Sequence, residues 1–232
     1  MSKVLAGLEL HFPFHHPDSI PFLETVAETF KIDRVVSVGD LVDAHMNSRY
    51  DHDPDGWNAG EEVDRTQDAL ADLFALFPNG EICTGNHDLR IAKAAFKAGI
   101  PKAAIRSFEE IYDIPEGWSS KEFVKIDGVT YEHGDRFGSG SYSHVKAAMN
   151  NMESTVIGHT HKTFGVEYIA NRDKLIFAAN AGCLVDTHSY AMAYGKAYAG
   201  KPILGSLVVI DGTMVVPVPM IIDRNHRWIG RI

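Results

Sequence analysis

Five short stretches of this chain end apolar runs on side chains that bind cations: Glu9-Leu10-His11, Gly39-Asp40, Gly85-Asn86-His87-Asp88, His133-Gly134-Asp135 and Gly158-His159-Thr160-His161. Each is a common turn or cap by itself. Together they offer four carboxylates, one amide oxygen and five imidazoles at predicted strand ends, where open α/β sheets place their sites. Such mixed oxygen and nitrogen ligation suits Mn, Fe, Zn or Ni, and no thiolate is offered for a Cys-type structural zinc. In the first stretch, GLELHFPFHH, Glu9 and His11 would share a face of an extended chain, since strand side chains alternate with period two.

The elements that must position these residues come in two styles. The first half alternates apolar runs with amphipathic patterns, the rhythm of βαβ units. Strands are predicted at 3–9, at DRVVSVGD and at EICTGN; helices at 19–32 with Asp18 or Ser19 as cap, at about 61–77, and over NHDLRIAKAAFKAG with Gly99 as its stop. The second half is built of short strands joined by hairpin signals: Asp127-Gly128 between KEFVKI and VTYEHG, Asn171-Arg172-Asp173 between VEYIA and KLIFAAN, and Asp211-Gly212 between SLVVI and TMVVPV. One helix is predicted at about 141–152. The stretch 43–60 reads as an irregular loop over the strand ends, a place that often carries binding residues.

Composition narrows the function classes. The 232 residues are 45% hydrophobic and 23% charged, ordinary for a globular chain, and one domain over 1–232 is the expectation. The net charge of −9 argues against a broad basic surface gripping nucleic acid, although two divalent cations would reverse the sign locally. Cys83 and Cys183 are too few for a disulfide framework and read as buried thiols in a reducing compartment. No segment reaches the 18 apolar residues of a membrane span, so a cytoplasmic protein without a membrane partner is expected.

The five motifs, in this order over residues 9–161, resemble the calcineurin-like metallophosphoesterase family, whose pattern is D-x-H, G-D, G-N-H-D/E, H and G-H-x-H. HFPFH, SRYDHDP, HGDRFGSG and AGCLVD resemble phage and bacterial members, which would place the protein in a host cytoplasm if phage-encoded. The resemblance implies a four-layer α/β/β/α sandwich with two metals at the strand ends, most readily Mn²⁺. One would be held by Glu9, His11, Asp40 and His161, the other by Asp40, Asn86, His133 and His159, with Asp40 bridging. A shared carboxylate can serve two cations about 3.5–4 Å apart, which lower the pKa of a water so that hydroxide attacks a phosphate ester. His87 would stand beside the phosphate, with Asp88 orienting its imidazole.

The resemblance implies a phosphoesterase, with a phosphodiesterase acting on small or nucleic-acid-type diesters, such as nucleotides or single strands, as the first expectation. A phosphomonoesterase or protein phosphatase is the alternative, and a degenerate binding scaffold the rival from another class. Arg49, Tyr50, His52 and Arg90 are candidate substrate contacts, with a surface ion pair as the plainer role for Arg90. His15 and His16 face either substrate or solvent; His45, His144, His188 and His226 read as structural. Glu9 stands where the family has Asp. The longer side chain is either compensated by the backbone or holds its metal loosely, in which case Glu9→Asp would tighten the site.

Overall fold

The computed structural model describes residues 2–49, 52–53, 55–191 and 200–232. Strands β1 (Lys3–Ala6), β2 (Arg34–Ser37), β3 (Gly80–Cys83) and β4 (Trp118–Lys121) run parallel. The hairpin of β10 (Gly205–Ile210) and β11 (Met214–Pro219) extends them to a six-stranded sheet of order β11-β10-β1-β2-β3-β4. A second sheet, β5-β6-β7-β9-β8, is formed by β5 (Phe123–Ile126), β6 (Val129–Glu132), β7 (Ser154–Ile157), β8 (Phe164–Ala170) and β9 (Leu175–Ala181).

Alternation sorts the strand side chains. Val4, Ala6, Val36, Leu207 and Val209 point into the space between the sheets, where they meet Val124, Tyr131, Val156 and Phe177. Their neighbours Leu5, Val35 and Val208 point the other way, into a core shared with α1 (Ser19–Phe30) and α2 (Ala59–Leu76). Helix α5 (Ser143–Asn151) covers the far face of the second sheet, against β7 and β9. The result is the expected α/β/β/α sandwich. Among the described residues no helix is long and apolar enough to cross a membrane, and both cysteines are free and buried.

All three hairpin signals form antiparallel turns. At Asp127-Gly128 and Asp211-Gly212 both residues have positive φ, the conformation that a tight hairpin joining twisted strands demands. Most elements lie within a few residues of expectation, and three boundaries differ for identifiable reasons. Strand β1 stops at Ala6 rather than residue 9, because Gly7 turns the chain with φ 99°; a Cβ there would lie 2.4 Å from that of Ala181. KEFVKI is split: Lys121 ends β4 in one sheet and Phe123 begins β5 in the other. Helix α3 starts at Arg90 (Arg90–Lys97), since His87 and Asp88 of the preceding GNHD are bound to Asp40 and Val42 of the neighbouring loop.

Candidate metal centre

The C-terminal ends of β1, β2, β3, β6 and β7 bring the five motifs together. Glu9 and His11 arrive not on one face of a strand but through a turn in which His11 itself has φ 51°. Asp40 (φ 48°) and His159 (φ 66°) are also left-handed, a strained state for residues other than glycine that clusters at functional sites. Small neighbours make the approach possible. A Cβ on Gly85 would fall 2.2 Å from Asp40 Oδ1, and one on Gly158 would fall 2.1 Å from Glu9 Oε2.

Two groups of acceptor atoms converge, with Asp40 beside both. In the first, Glu9 Oε1 lies 2.7 Å from His161 Nε2, which is 3.2 Å from His11 Nε2; His11 Nε2 is 3.8 Å from Asp40 Oδ2. In the second, His133 Nε2 lies 3.2 Å from Asp40 Oδ2, 3.1 Å from Asn86 Oδ1 and 3.1 Å from His159 Nδ1. The outer nitrogens fix which edge points inward. His133 Nδ1 donates to the Val38 carbonyl at 3.0 Å, and His11 Nδ1 to Asp43 Oδ2 at 2.9 Å. With Nδ1 so held, each ring turns its Nε2 towards carboxylate, amide oxygen and imidazole partners, the edge that becomes a ligand once a cation displaces its proton.

The electrostatics call for positive charge between these groups. Burial raises the Glu9 carboxyl, yet His161, His11 and His133 outweigh it and hold the group at about 2. Asp40 is likewise held well below the carboxylate range, against burial, by His133, His87 and His11. Burial lowers His11 and His133, but their carboxylate neighbours lift them to about 10 and about 9. Donor chemistry, preset ring edges and glycine-made room all fit two divalent cations.

Asp43, which the motifs did not single out, is the hub behind this cluster. Besides His11, its Oδ2 lies 3.4 Å from His87 Nδ1, and its Oδ1 accepts from Arg90 Nη1 at 2.6 Å. Arg90 Nη2 in turn lies 2.9 Å from His87 Nε2. Arg90 is therefore no surface ion pair: it is bound to a buried carboxylate and lines the cleft. Burial, opposed by Asp40 and Asp43, keeps the His87 imidazole below its ordinary value. The contact with the His87 ring that was expected of Asp88 is made by Asp43, because Asp88 spends both oxygens on backbone. It accepts from the N–H groups of Asp40, Gly85 and Val42 at 2.9, 2.7 and 3.1 Å, tying the β2 and β3 loops together. The available sign of Asp43 was its place three residues after Asp40.

A cleft of about 1550 Å³ opens over Asp40, Asn86, His87, His159 and His161. Arg49, Arg90, Lys93, Lys97, Lys162 and Lys201 also line it, whereas Asp40 is the one carboxylate among its described lining residues. Arg90, Lys93 and Lys97 follow helical spacing along α3, so they share one face. His52 instead packs against His45 at 5.4 Å between ring centroids and is not among the lining residues; Tyr50 lies outside the described residues. His15 and His16 are turned inward, and His16 is fully buried. Asn180 of β9 was also unforeseen: its amide donates to the Gly158 carbonyl and to Thr160 Oγ1, bracing the loop that carries His159 and His161.

No family model matches the chain, and no curated protein matches it in sequence. Solved structures similar to it include Vacuolar Protein Sorting 29 (Vps29) from Cryptosporidium parvum, 17% identical with 94% of this chain and 97% of that chain covered, at a TM-score of 0.43. Chaetomium thermophilum Vps29 is 12% identical with 97% and 92% covered, at a TM-score of 0.49. A metallophosphoesterase from Sphaerobacter thermophilus is 15% identical with 94% and 87% covered, at 0.44. With every one of these scores under 0.5, the likeness bears on neither the activity nor the metal content of this chain.

Proposed function

We propose that the protein is a metal-dependent phosphoesterase with two divalent cations, preferentially Mn²⁺, acting on phosphodiesters of small or single-stranded nucleic-acid type. The observation that carries this reading is the pair of converging acceptor clusters beside one carboxylate, Asp40. Glu9, His11, Asp40 and His161 would hold one cation, and Asp40, Asn86, His133 and His159 the other. Bound there, two cations supply Lewis acidity to the phosphate oxygens and lower the pKa of a water.

The remaining work falls to the chain. The fixed Nδ1 contacts of His11 and His133 keep the ligand edges facing inward. His87 stands at the cleft wall, 3.8 Å from Asp40 Oδ2 through its Nε2, and, having taken a proton from solvent at that atom, would pass it to the leaving oxygen. For this Arg90 must release Nε2, and a phosphate anion is the partner that draws a guanidinium away. The cationic α3 face supports a substrate with more than one negative charge. Its lysines favour a diester strand over an isolated monoester.

Metal-free protein incubated with Mn²⁺, Fe²⁺, Ni²⁺ or Zn²⁺ and offered bis-p-nitrophenyl phosphate or p-nitrophenyl phosphate tests the proposal. Turnover of the diester in preference to the monoester is expected. Faster monoester turnover would point to a phosphomonoesterase, and no turnover with any of the four metals would point to a binding scaffold.

A further inference from the structure

A second group of ligand atoms lies on the same cleft, outside the Asp40 clusters. Asp186, His188 and His226 each bring one such atom within 4.8 Å of the others. Asp186 and His188 follow Val185, which bridges to His15. His226 comes from the C-terminal hairpin closed by Ile222 and Trp228. His226 Nε2 lies 3.0 Å from Asp186 Oδ1, and the two imidazoles stack at 3.8 Å between centroids with 23° between planes. Both rings line the cleft. Among the described residues neither ring nitrogen of His188 has a hydrogen-bond partner, so it offers an uncommitted lone pair next to the His226–Asp186 pair.

The backbone under His226 is held in place. His226 has φ 60°. Asp223 Oδ1 accepts from the N–H groups of Asn225 and Arg227 on either side, at 2.8 and 3.0 Å. The Arg227 guanidinium and the Trp228 N–H both bind Asp18, and His16 Nε2 lies 3.2 Å from the His226 carbonyl. Thus the histidine-rich stretch that supplies His11 to one cluster also anchors, through His16, a member of another. A stacked imidazole pair beside a carboxylate would ordinarily be satisfied by one proton, which leaves one ring idle; a divalent cation engages all three groups. Bonds of about 2.0–2.2 Å in a tetrahedral site put the ligands roughly 3.3–3.6 Å apart, against the 4.8 Å within which these atoms already lie.

We propose that Asp186, His188 and His226 form a third divalent-cation site on the cleft wall. Two imidazoles and one carboxylate suit Zn²⁺, Ni²⁺ or Co²⁺ better than Mn²⁺, so this site differs in preference from the oxygen-richer Asp40 clusters. Three protein ligands leave a fourth position for water or an anionic oxygen in the cleft.

Equilibrium dialysis of the full chain against Ni²⁺ or Zn²⁺, followed by metal analysis, tests the site. Wild type should bind one equivalent more than His188→Ala, and Asp186→Asn should weaken that equivalent by at least the roughly 10–100-fold that loss of a supporting group costs. The same equivalent should persist in His161→Ala, which impairs the Asp40 clusters and so separates failure of this site from failure of the two-metal reading. Zn²⁺ should also shift the imidazole NMR resonances of His188 and His226 in wild type. Equal metal content in wild type and a natively folded His188→Ala, or resonances of both rings unmoved by Zn²⁺, overturns the proposal.

Discussion

Glu9→Asp tests how the centre is built. In the wild type the fully buried Glu9 carboxylate is engaged through both oxygens. Oε2 accepts the His159 N–H at 2.7 Å, and Oε1 meets His161 Nε2 at 2.7 Å. Removing one methylene withdraws the group by about 1.3 Å, from 2.7 Å to roughly 4 Å from each partner, judged from ordinary bond lengths. That distance is beyond hydrogen bonding, and metal–oxygen bonds tolerate only about 0.2 Å. The part-buried His159 N–H then loses its acceptor, at a cost of up to about 1–3 kcal/mol, or roughly 2–4 °C in Tm for each kcal/mol in a chain of this size. The first metal should weaken by about 10–100-fold, comparable to loss of a supporting ligand contact. Motif comparison alone suggests the reverse, a tighter site with Asp. Calorimetric titration of the metal-free variant with Mn²⁺, alongside thermal melts, decides between them. Tighter metal binding with an unchanged or higher Tm would refute the view that the loop is built around glutamate.

Three further outcomes follow from neighbouring contacts. Asp43→Asn removes the charge that faces His11, His87 and Arg90; breaking such a buried pair costs about 3 kcal/mol or more, and both metal affinity and turnover should fall, as titration and steady-state kinetics would register. Lys93→Glu with Lys97→Glu should raise KM for an oligonucleotide and flatten its salt dependence by about two charges, while turnover of bis-p-nitrophenyl phosphate stays near wild type; equal loss on both substrates would contradict a substrate track along α3. His15 is pushed by burial from 6.5 to about 4, against small opposing contributions from the Pro13 backbone and Asp72. Its stabilisation is complete above pH 6.5 and lost as pH falls towards 4, by at most about 3 kcal/mol. His15→Phe should remove that part of the acid sensitivity in denaturation measured across this range.

Much of the sandwich could be read from local patterns, because alternation and Asp-Gly turns act within a few residues. The strand-end placement of Asp40, Asn86 and His133 followed from the same signals. What escaped depended on groups distant in sequence. Glu9 and His161 are 152 residues apart; only the family resemblance joined them, and neither period nor propensity reports that Gly7 must bend the chain to let them meet. Asp43 and Asp88 show the same limit at short range. Both are acidic residues near a catalytic-type motif, but only three dimensions reveal that Asp88 is consumed by backbone N–H groups while Asp43 faces His11 and His87. His188 and His226 looked structural because nothing in the linear order joins residue 188 to the C-terminal hairpin.

The proposed sharing of Asp40 between two cations is open to one direct measurement, electron paramagnetic resonance of metal-free protein titrated with Mn²⁺. Two ions bridged by this carboxylate should give a spin-coupled spectrum that grows in as the second equivalent binds and that Asp40→Asn abolishes. A spectrum of isolated Mn²⁺ at every loading, the same in wild type and Asp40→Asn, would contradict the two-metal centre.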